Sequence, residues 1–440
     1  MPLRHVIIGS GIAGLCAAEA LREHDPNCTV TLVSEEPHPY YSRPGLAYFL
    51  RKDFPEGQLT IRTDDDIKRL DIKRIHARVE QILCDKDAIM LNDRKGLPYD
   101  RLLLATGALA VPPPFPGGDL AGVVKLDGLD DCRHIIAAAR SGKPAVVVGG
   151  GITALELAEG LNARGMKVQY FLRSERYWGD ILDEAESKIV MDRMAHEGIV
   201  LRTQTQVKQA LGTNGKLTGV ETQTGEHVPC EVLAVAIGVR PRIDLAKQSG
   251  IVTKKGILVN EYLQSSAPDV YAAGDCAEVY DPVSKTNTLD VLWPTALAQG
   301  RVAGFNMAGA RRPYVKSIPF NVTMLAGLKV SIIGAVGGGK NEDLIAITRG
   351  ESEAWRIVPS SWVIGATDDV NRVRLVLGEN VVAGALVMGD QTWSRPLQEL
   401  ILAKADITAV RSVLQMGGAE SLHKLAEFYQ DWSKSRKQRS

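Results

Sequence analysis

Two glycine clusters hold the residues whose types and spacing point to chemistry: Gly9-Ser10-Gly11-Ile12-Ala13-Gly14 and Gly149-Gly150-Gly151-Ile152-Thr153-Ala154. In each, the first glycine suits a tight turn and the second lets backbone approach an anion. The third position, Gly14 or Ala154, lets a helix lie close to a strand. The N-terminus of that helix then offers free N–H groups and a partial positive charge to a pyrophosphate. Two such clusters in one chain imply two dinucleotide sites, and so an enzyme that passes electrons between bound dinucleotides.

The elements that must position these clusters are visible around them. Val6-Ile7-Ile8 and Val146-Val147-Val148 predict buried strands leading in, and the Ala/Leu/Glu-rich stretches that follow predict helices. Residues 29–33 and 167–172 predict second strands, while 102–108 and 232–238 predict apolar strands running into Gly107 and Gly238. Both halves share this order, which points to an internal duplication. The proline-rich run Val111-Pro112-Pro113-Pro114-Phe115-Pro116-Gly117-Gly118 can continue neither a helix nor a central strand and reads as a linker. A second crossing falls near Gly238-Val239-Arg240-Pro241-Arg242, and the strand at 270–275 suits the first half. From about Ile318 the pattern changes to short β-branched strands and turns, followed by helices. The division expected is one domain from 1–115 and 241–316, a second from 116–240, and a C-terminal α+β domain at 317–440.

Bulk properties narrow the function. The chain has 440 residues, and its 52 Lys and Arg balance 52 Asp and Glu, so no basic face for nucleic acid is indicated. No apolar run approaches the ~20 residues of a membrane span. Residues 6–21 could pass for a leader core, but glycines at fingerprint spacing make them the first βα unit of a mature cytoplasmic protein. Six scattered cysteines show no metal-ligand spacing and read as reduced and structural, so no metal site is expected. The polar residues 434–440 read as a frayed tail.

Taken together, the first cluster, Tyr41-Ser42-Arg43-Pro44, Ala105-Thr106-Gly107, the second cluster and Ala273-Gly274-Asp275 resemble the FAD-dependent pyridine-nucleotide oxidoreductases. The likeness is to the branch of rubredoxin and ferredoxin reductases and the flavin module of the NAD(P)H-nitrite reductase large subunit. Residues 324–330 and 382–390 are similar to that branch's C-terminal domain. The resemblance implies an α/β fold with two Rossmann-like domains for FAD and NAD(P), plus a C-terminal α+β interface domain through which a homo-oligomer could form.

It also implies site residues. FAD would be held by Gly9, Gly11, Ile12, Ala13 and Gly14, by Ala105, Thr106 and Gly107, and by Gly274 and Asp275, the latter at the ribityl chain. Glu35 and Glu36 both qualify for the adenosine ribose, with Glu36 preferred, and Arg43 runs beside the flavin and phosphates. Thr295 and Ala296 open a helix aimed at the flavin pyrimidine, where its dipole favours the reduced state. Trp293 and Pro294 either pack on the ring or belong to the core. NAD(P) would be held by Gly149, Gly151, Ile152, Thr153, Ala154 and Gly238. Glu156 matches an acid near the nicotinamide, with a helix-surface glutamate as the alternative. The ribose-acid position falls on Leu172, with Arg173 and Arg176 close by, which tilts the expectation toward NADPH or dual use.

Departures from the family narrow the chemistry further. The position where related reductases and oxidases carry a redox cysteine falls on Pro44, which disfavours a disulfide or peroxide relay. Tyr48 stands where many ferredoxin reductases have lysine, and Ile152 replaces an aromatic gate. The implied activity is hydride transfer from NAD(P)H to FAD, then electron delivery to a separate carrier or a nitrite reductase-type partner. The alternatives are an oxygen-using NAD(P)H oxidase and a non-catalytic flavin redox sensor or scaffold.

Overall fold

The strand Arg4–Ile8 is buried from His5 onward, as its apolar run requires, in a core that joins Val6, Ile7 and Ile8 to helix residues such as Leu15 and Ala303 and to Ile82, Ile89 and Leu91 of an antiparallel meander. The computed structural model describes residues 2–337, 347, 349–356 and 362–437. It divides into two units. The first comprises Met1–Phe171, Thr205–Lys316 and Ile345–Ser352; the second comprises Leu172–Gln204, Ser317–Leu344 and Glu353–Ser440.

The first unit holds both fingerprints. Its first parallel sheet places Arg4–Ile8 between Thr29–Ser34 and Arg101–Leu104, with Ile72–His76 and Val270–Ala272 at the edges. Residues 270–272 therefore join the first sheet from far along the chain, as their pattern suggests. Its second parallel sheet repeats the scheme, with Pro144–Val148 between Lys167–Phe171 and Val232–Val235 and with Val123–Val124 outside the latter. In each sheet the fingerprint strand lies between the strand that follows its helix and the apolar strand that ends near a glycine, so the two halves match in topology as well as in order. Two short antiparallel meanders, at Val79–Pro98 and Val207–Pro229, follow in equivalent places.

Helix Ile12–His24 lies against helix Trp293–Met307 at very short range. A Cβ on Gly300 would stand 2.2 Å from the Ala13 carbonyl oxygen, and one on Gly304 would stand 2.4 Å from that of Ala17. Small residues four apart on both helices let the backbones approach, and this fixes both N-termini over the same strand ends.

The second unit is built on the antiparallel sheet Phe320–Leu325, Leu328–Gly334, Val382–Met388, Asn371–Leu377, Trp362–Asp368, in that spatial order. Helices Ser394–Leu402 and Gly418–Lys437 contribute Leu397, Leu400, Ile401 and Leu425 to its core. Residues 434–437 continue the last helix rather than fraying, since its apolar face reaches Tyr429 and Trp432, while 438–440 lie outside the described residues. Helix Glu184–His196 belongs to the same unit, its capping box of Asp183 and Glu186 facing arginines of strand Asn371–Leu377.

Candidate functional site

The first fingerprint folds as its spacing requires. Gly9 adopts φ +113°, and a Cβ there would meet the Ala105 carbonyl oxygen at 2.1 Å; one on Gly14 would meet that of Gly9 at 2.0 Å. Only glycine fits either place. At Gly11, by contrast, a Cβ would find nothing within 4 Å, and Gly11 is the N-cap of helix Ile12–His24, with no side chain capping it. Free N–H groups thus face open space, a cradle that fits a pyrophosphate.

Acid and base residues of the expected kind surround that cradle. Ser10, Gly11, Ile12, Glu36, Tyr40, Tyr41, Arg43 and Trp293 line one cavity. Glu36 is paired with Arg43 and accepts the Tyr41 hydroxyl at 3.0 Å, and Arg43 also donates to the Asp127 carbonyl at 2.7 Å. Glu35 is paired instead with Arg242, whose backbone carbonyl accepts the Thr106 hydroxyl at 2.8 Å. Of the two candidate acids, Glu36 therefore lines the cavity. Asp275 stands three residues past the end of strand Val270–Ala272; burial pushes its carboxyl up, opposed first by Arg349 and then by Arg43.

Helix Trp293–Met307 begins with Pro294 in its first turn and has no side-chain cap, so its N-terminus is also free. Thr295 and Ala296 lie in that first turn. Trp293 donates from Nε1 to the Tyr40 hydroxyl at 3.3 Å and lies on the cavity wall rather than in the core. Sequence reasoning missed Gln299 of this helix, whose Oε1 accepts the Gly274 N–H at 2.8 Å and fixes the turn that presents Asp275. A buried glutamine at 1% exposure was the available signal only once the helix had been placed.

The second fingerprint repeats the geometry. Gly149 has φ +147°, and its Cβ would meet the Ala236 carbonyl oxygen at 2.1 Å. Gly151 is the uncapped N-cap of helix Ile152–Ala163, and a Cβ on Gly150 would find nothing within 4 Å. Ile152, Thr153 and Ala154 form the first turn, and Gly238 follows strand Val232–Val235. One turn on, burial pushes the Glu156 carboxyl up to about 8; Glu159 adds to this, opposed by Arg349 and Arg51. Tyr48, whose phenol is also raised by burial, faces the same acid. Leu172, Arg173 and Arg176 belong to the second unit, where Arg173 is exposed and Arg176 donates to the Gly179 carbonyl at 3.2 Å.

Pro44 caps the short helix Gly45–Leu50, and no cysteine adjoins it in sequence. All six thiols are raised, in each case chiefly by burial: Cys16 and Cys132 to about 11, Cys230 to about 12, and Cys28, Cys84 and Cys276 likewise upward. Among the described residues no helix is long and apolar enough to cross a membrane.

Two dinucleotide cradles on parallel sheets, one of them opening on a cavity lined by Glu36 and Arg43, define a flavin- and nicotinamide-dependent oxidoreductase. Residues 3–300 match the pyridine nucleotide-disulphide oxidoreductase family, and the chain belongs to it. Over 402 residues it is 31% identical to an NADH oxidase of Methanocaldococcus jannaschii, covering 88% of each chain. It is 27% identical to a nitrite reductase [NAD(P)H] of Bacillus subtilis, covering 93% of this chain but only 49% of that one. The NADH:rubredoxin oxidoreductase structure from Clostridium acetobutylicum superposes with a TM-score of 0.73 at 25% identity, over 94% of this chain and 99% of the other. The protein is an NAD(P)H oxidoreductase that uses FAD.

Proposed function

We propose that the chain is the reductase of an electron-transfer pair: it takes hydride from NAD(P)H onto FAD and yields electrons to a separate carrier, either a rubredoxin- or ferredoxin-like protein or a nitrite reductase-type partner. The observation that carries this reading is the absence of an activated thiol. Pro44 occupies the expected cysteine position, and burial holds every one of the six cysteines above its ordinary value, so none supplies the thiolate that a disulfide relay needs. Electrons must then leave the flavin directly.

Each residue has a task in this reading. The N–H groups of Gly11, Ile12 and Ala13 hold the FAD pyrophosphate, Glu36 takes the ribose hydroxyls, and Asp275 takes the ribityl chain, held by Gln299 through Gly274. Arg43, paired with Glu36 on the cavity wall, would supply a cation to the phosphates. The free N-terminus at Trp293 favours negative charge on the pyrimidine side. Gly149, Gly151 and Ala154 seat the nicotinamide dinucleotide, and Glu156, protonated at neutral pH, offers a hydrogen-bond donor to the nicotinamide carboxamide. Bound FAD supplies the hydride-accepting and electron-releasing chemistry; the protein supplies orientation. Arg173 and Arg176 favour NADPH or dual use. As a functional division, 1–115 with 241–316 would serve FAD, 116–240 would serve NAD(P), and 317–440 would be a platform for a carrier or for a second copy in a cytoplasmic protein; the two compact units depart from this at 172–204 and 345–352.

The test is anaerobic mixing of the FAD-loaded protein with NADH or NADPH while flavin absorbance is followed, then addition of rubredoxin or ferredoxin. Bleaching followed by carrier-dependent reoxidation is expected; bleaching with no reoxidation by any carrier sinks the pairing. A second reading, an oxidase, is favoured by the name of the 31% identical relative. Steady oxygen uptake driven by NAD(P)H alone would select it.

A further inference from the structure

We infer that Arg349 is a cofactor-positioning residue of the flavin site, a second guanidinium beside Arg43 brought there by a segment from far along the chain. This rests on the FAD reading above. The segment Ile345–Ser352 groups with the dinucleotide-binding unit, although the chain on either side of it belongs to the other.

Its described residues are held by bonds that do not involve Arg349. The Val239 N–H donates to the Ile347 carbonyl at 2.8 Å, and Ile347 is buried with Val239, Leu289 and Val291. The Gly350 N–H donates to the Val291 carbonyl, and the Val291 N–H donates to that of Glu351, both at 2.9 Å. The Ser352 hydroxyl donates to Asp290, whose other oxygen takes Lys316 at 2.6 Å. The backbone is thus held independently of the guanidinium.

The guanidinium donates to Asp127 Oδ1 at 2.8 Å. That carboxylate is already served by the Ala110 N–H at 2.7 Å and by Lys125 Nζ at 2.6 Å, so its own satisfaction does not require Arg349. The backbone carbonyl of the same Asp127 accepts Arg43 at 2.7 Å. Two guanidiniums therefore converge on one residue at the edge of the FAD cavity. Arg349 is also the leading cationic neighbour of both Asp275 and Glu156, ahead of Arg43 at the first and Arg51 at the second. These are the carboxyls assigned to the ribityl chain and to the nicotinamide side. A partly buried cation there favours the negative charge FAD gains on reduction, because little water screens it.

The experiment uses the FAD-loaded full chain with Arg349→Gln and Arg349→Lys, read by FAD affinity and by the two-electron midpoint potential. With glutamine, reduced FAD is expected to lose about tenfold more affinity than oxidised FAD, which lowers the potential by about 30 mV. Lysine is expected to restore most of the difference. Ile347→Asp, which undocks the segment while keeping the guanidinium, is expected to reproduce the glutamine result. An unchanged potential and FAD affinity in Arg349→Gln overturns the inference, as does lysine behaving like glutamine. Failure of the underlying FAD reading shows separately, as an unsubstituted chain that cannot be loaded with FAD.

Discussion

Gly300 has no room for a side chain: a Cβ would stand 2.2 Å from the carbonyl oxygen of Ala13 and 2.7 Å from its Cα. This contact, with the matching one of Gly304 on Ala17, brings helix Trp293–Met307 onto helix Ile12–His24, so both free helix N-termini are positioned together. Gly300→Ala must push the helices apart against backbone rather than against a flexible side chain. Overpacking of this kind costs about 1–3 kcal/mol, and the displacement falls at both ends of the cofactor site. A lower melting temperature together with weaker FAD retention is expected. A variant that retains FAD as tightly as the parent would show that the two helices do not set the cradle.

Such a contact explains which parts of the molecule were legible beforehand. The fingerprints and their strands are encoded locally, in apolar runs ending at glycine, and these the chain discloses directly. Gly300 and Gly304 look like helix-weakening residues until the facing Ala13 and Ala17 are known. Arg349 and Asp127 lie 222 residues apart, and no periodicity links them. Glu36 is preferred to Glu35 already from the sequence, but the reason, that Arg242 takes Glu35 from 207 residues away, is visible only in the fold. Local turn and strand chemistry reads from one sequence; pairing across hundreds of residues does not.

The carboxyl of Glu156 gives a pH signature. The unfolded chain ionises such a glutamate near 4.5, whereas burial holds it protonated up to about 8. The native state therefore binds more protons in that window, and stability falls as pH rises through it. Glu156→Gln keeps a neutral group of the same shape and removes the effect. Between about pH 5 and pH 8 the parent is expected to lose a few kcal/mol relative to the variant, read as denaturation midpoints of both proteins. Parallel pH dependences would place a charged, well-solvated glutamate there instead.

His5 has the opposite sign. It is 1% exposed on strand Arg4–Ile8, neither ring nitrogen has a hydrogen-bond partner, and burial lowers its pKa from 6.5 to about 4. As pH falls from 6.5 toward 4 the unfolded chain takes up a proton that the folded chain resists, so stability drops over that range. A shift of this size corresponds to about 3 kcal/mol. His5→Leu is expected to flatten the acid limb of the stability curve while leaving neutral stability nearly unchanged. An acid limb as steep as the parent's would mean that carboxylates alone govern it.

In the second unit, Arg374 and Glu186 form a buried pair, 6% and 0% exposed, with Nε 2.9 Å from Oε1. The other guanidinium nitrogens donate to the carbonyls of Val336 at 2.7 Å and Ile181 at 2.6 Å, so a single side chain ties helix Glu184–His196 to the sheet. Arg374→Met leaves Glu186 without its main cation and leaves two carbonyls without donors. Breaking a buried pair in this way costs about 3–5 kcal/mol. Glu186 is already raised by burial despite the arginine, so in the variant it will take up a proton and recover part of that loss at low pH. The destabilisation of Arg374→Met should therefore be larger at neutral pH than at about pH 5. Changing both residues to methionine removes the stranded charge and should be less damaging than the single change, because replacing a buried ion pair by apolar side chains is often near neutral. Thermal unfolding of the two variants at both pH values decides this, and a double variant less stable than Arg374→Met would show that the pair is held together by more than charge.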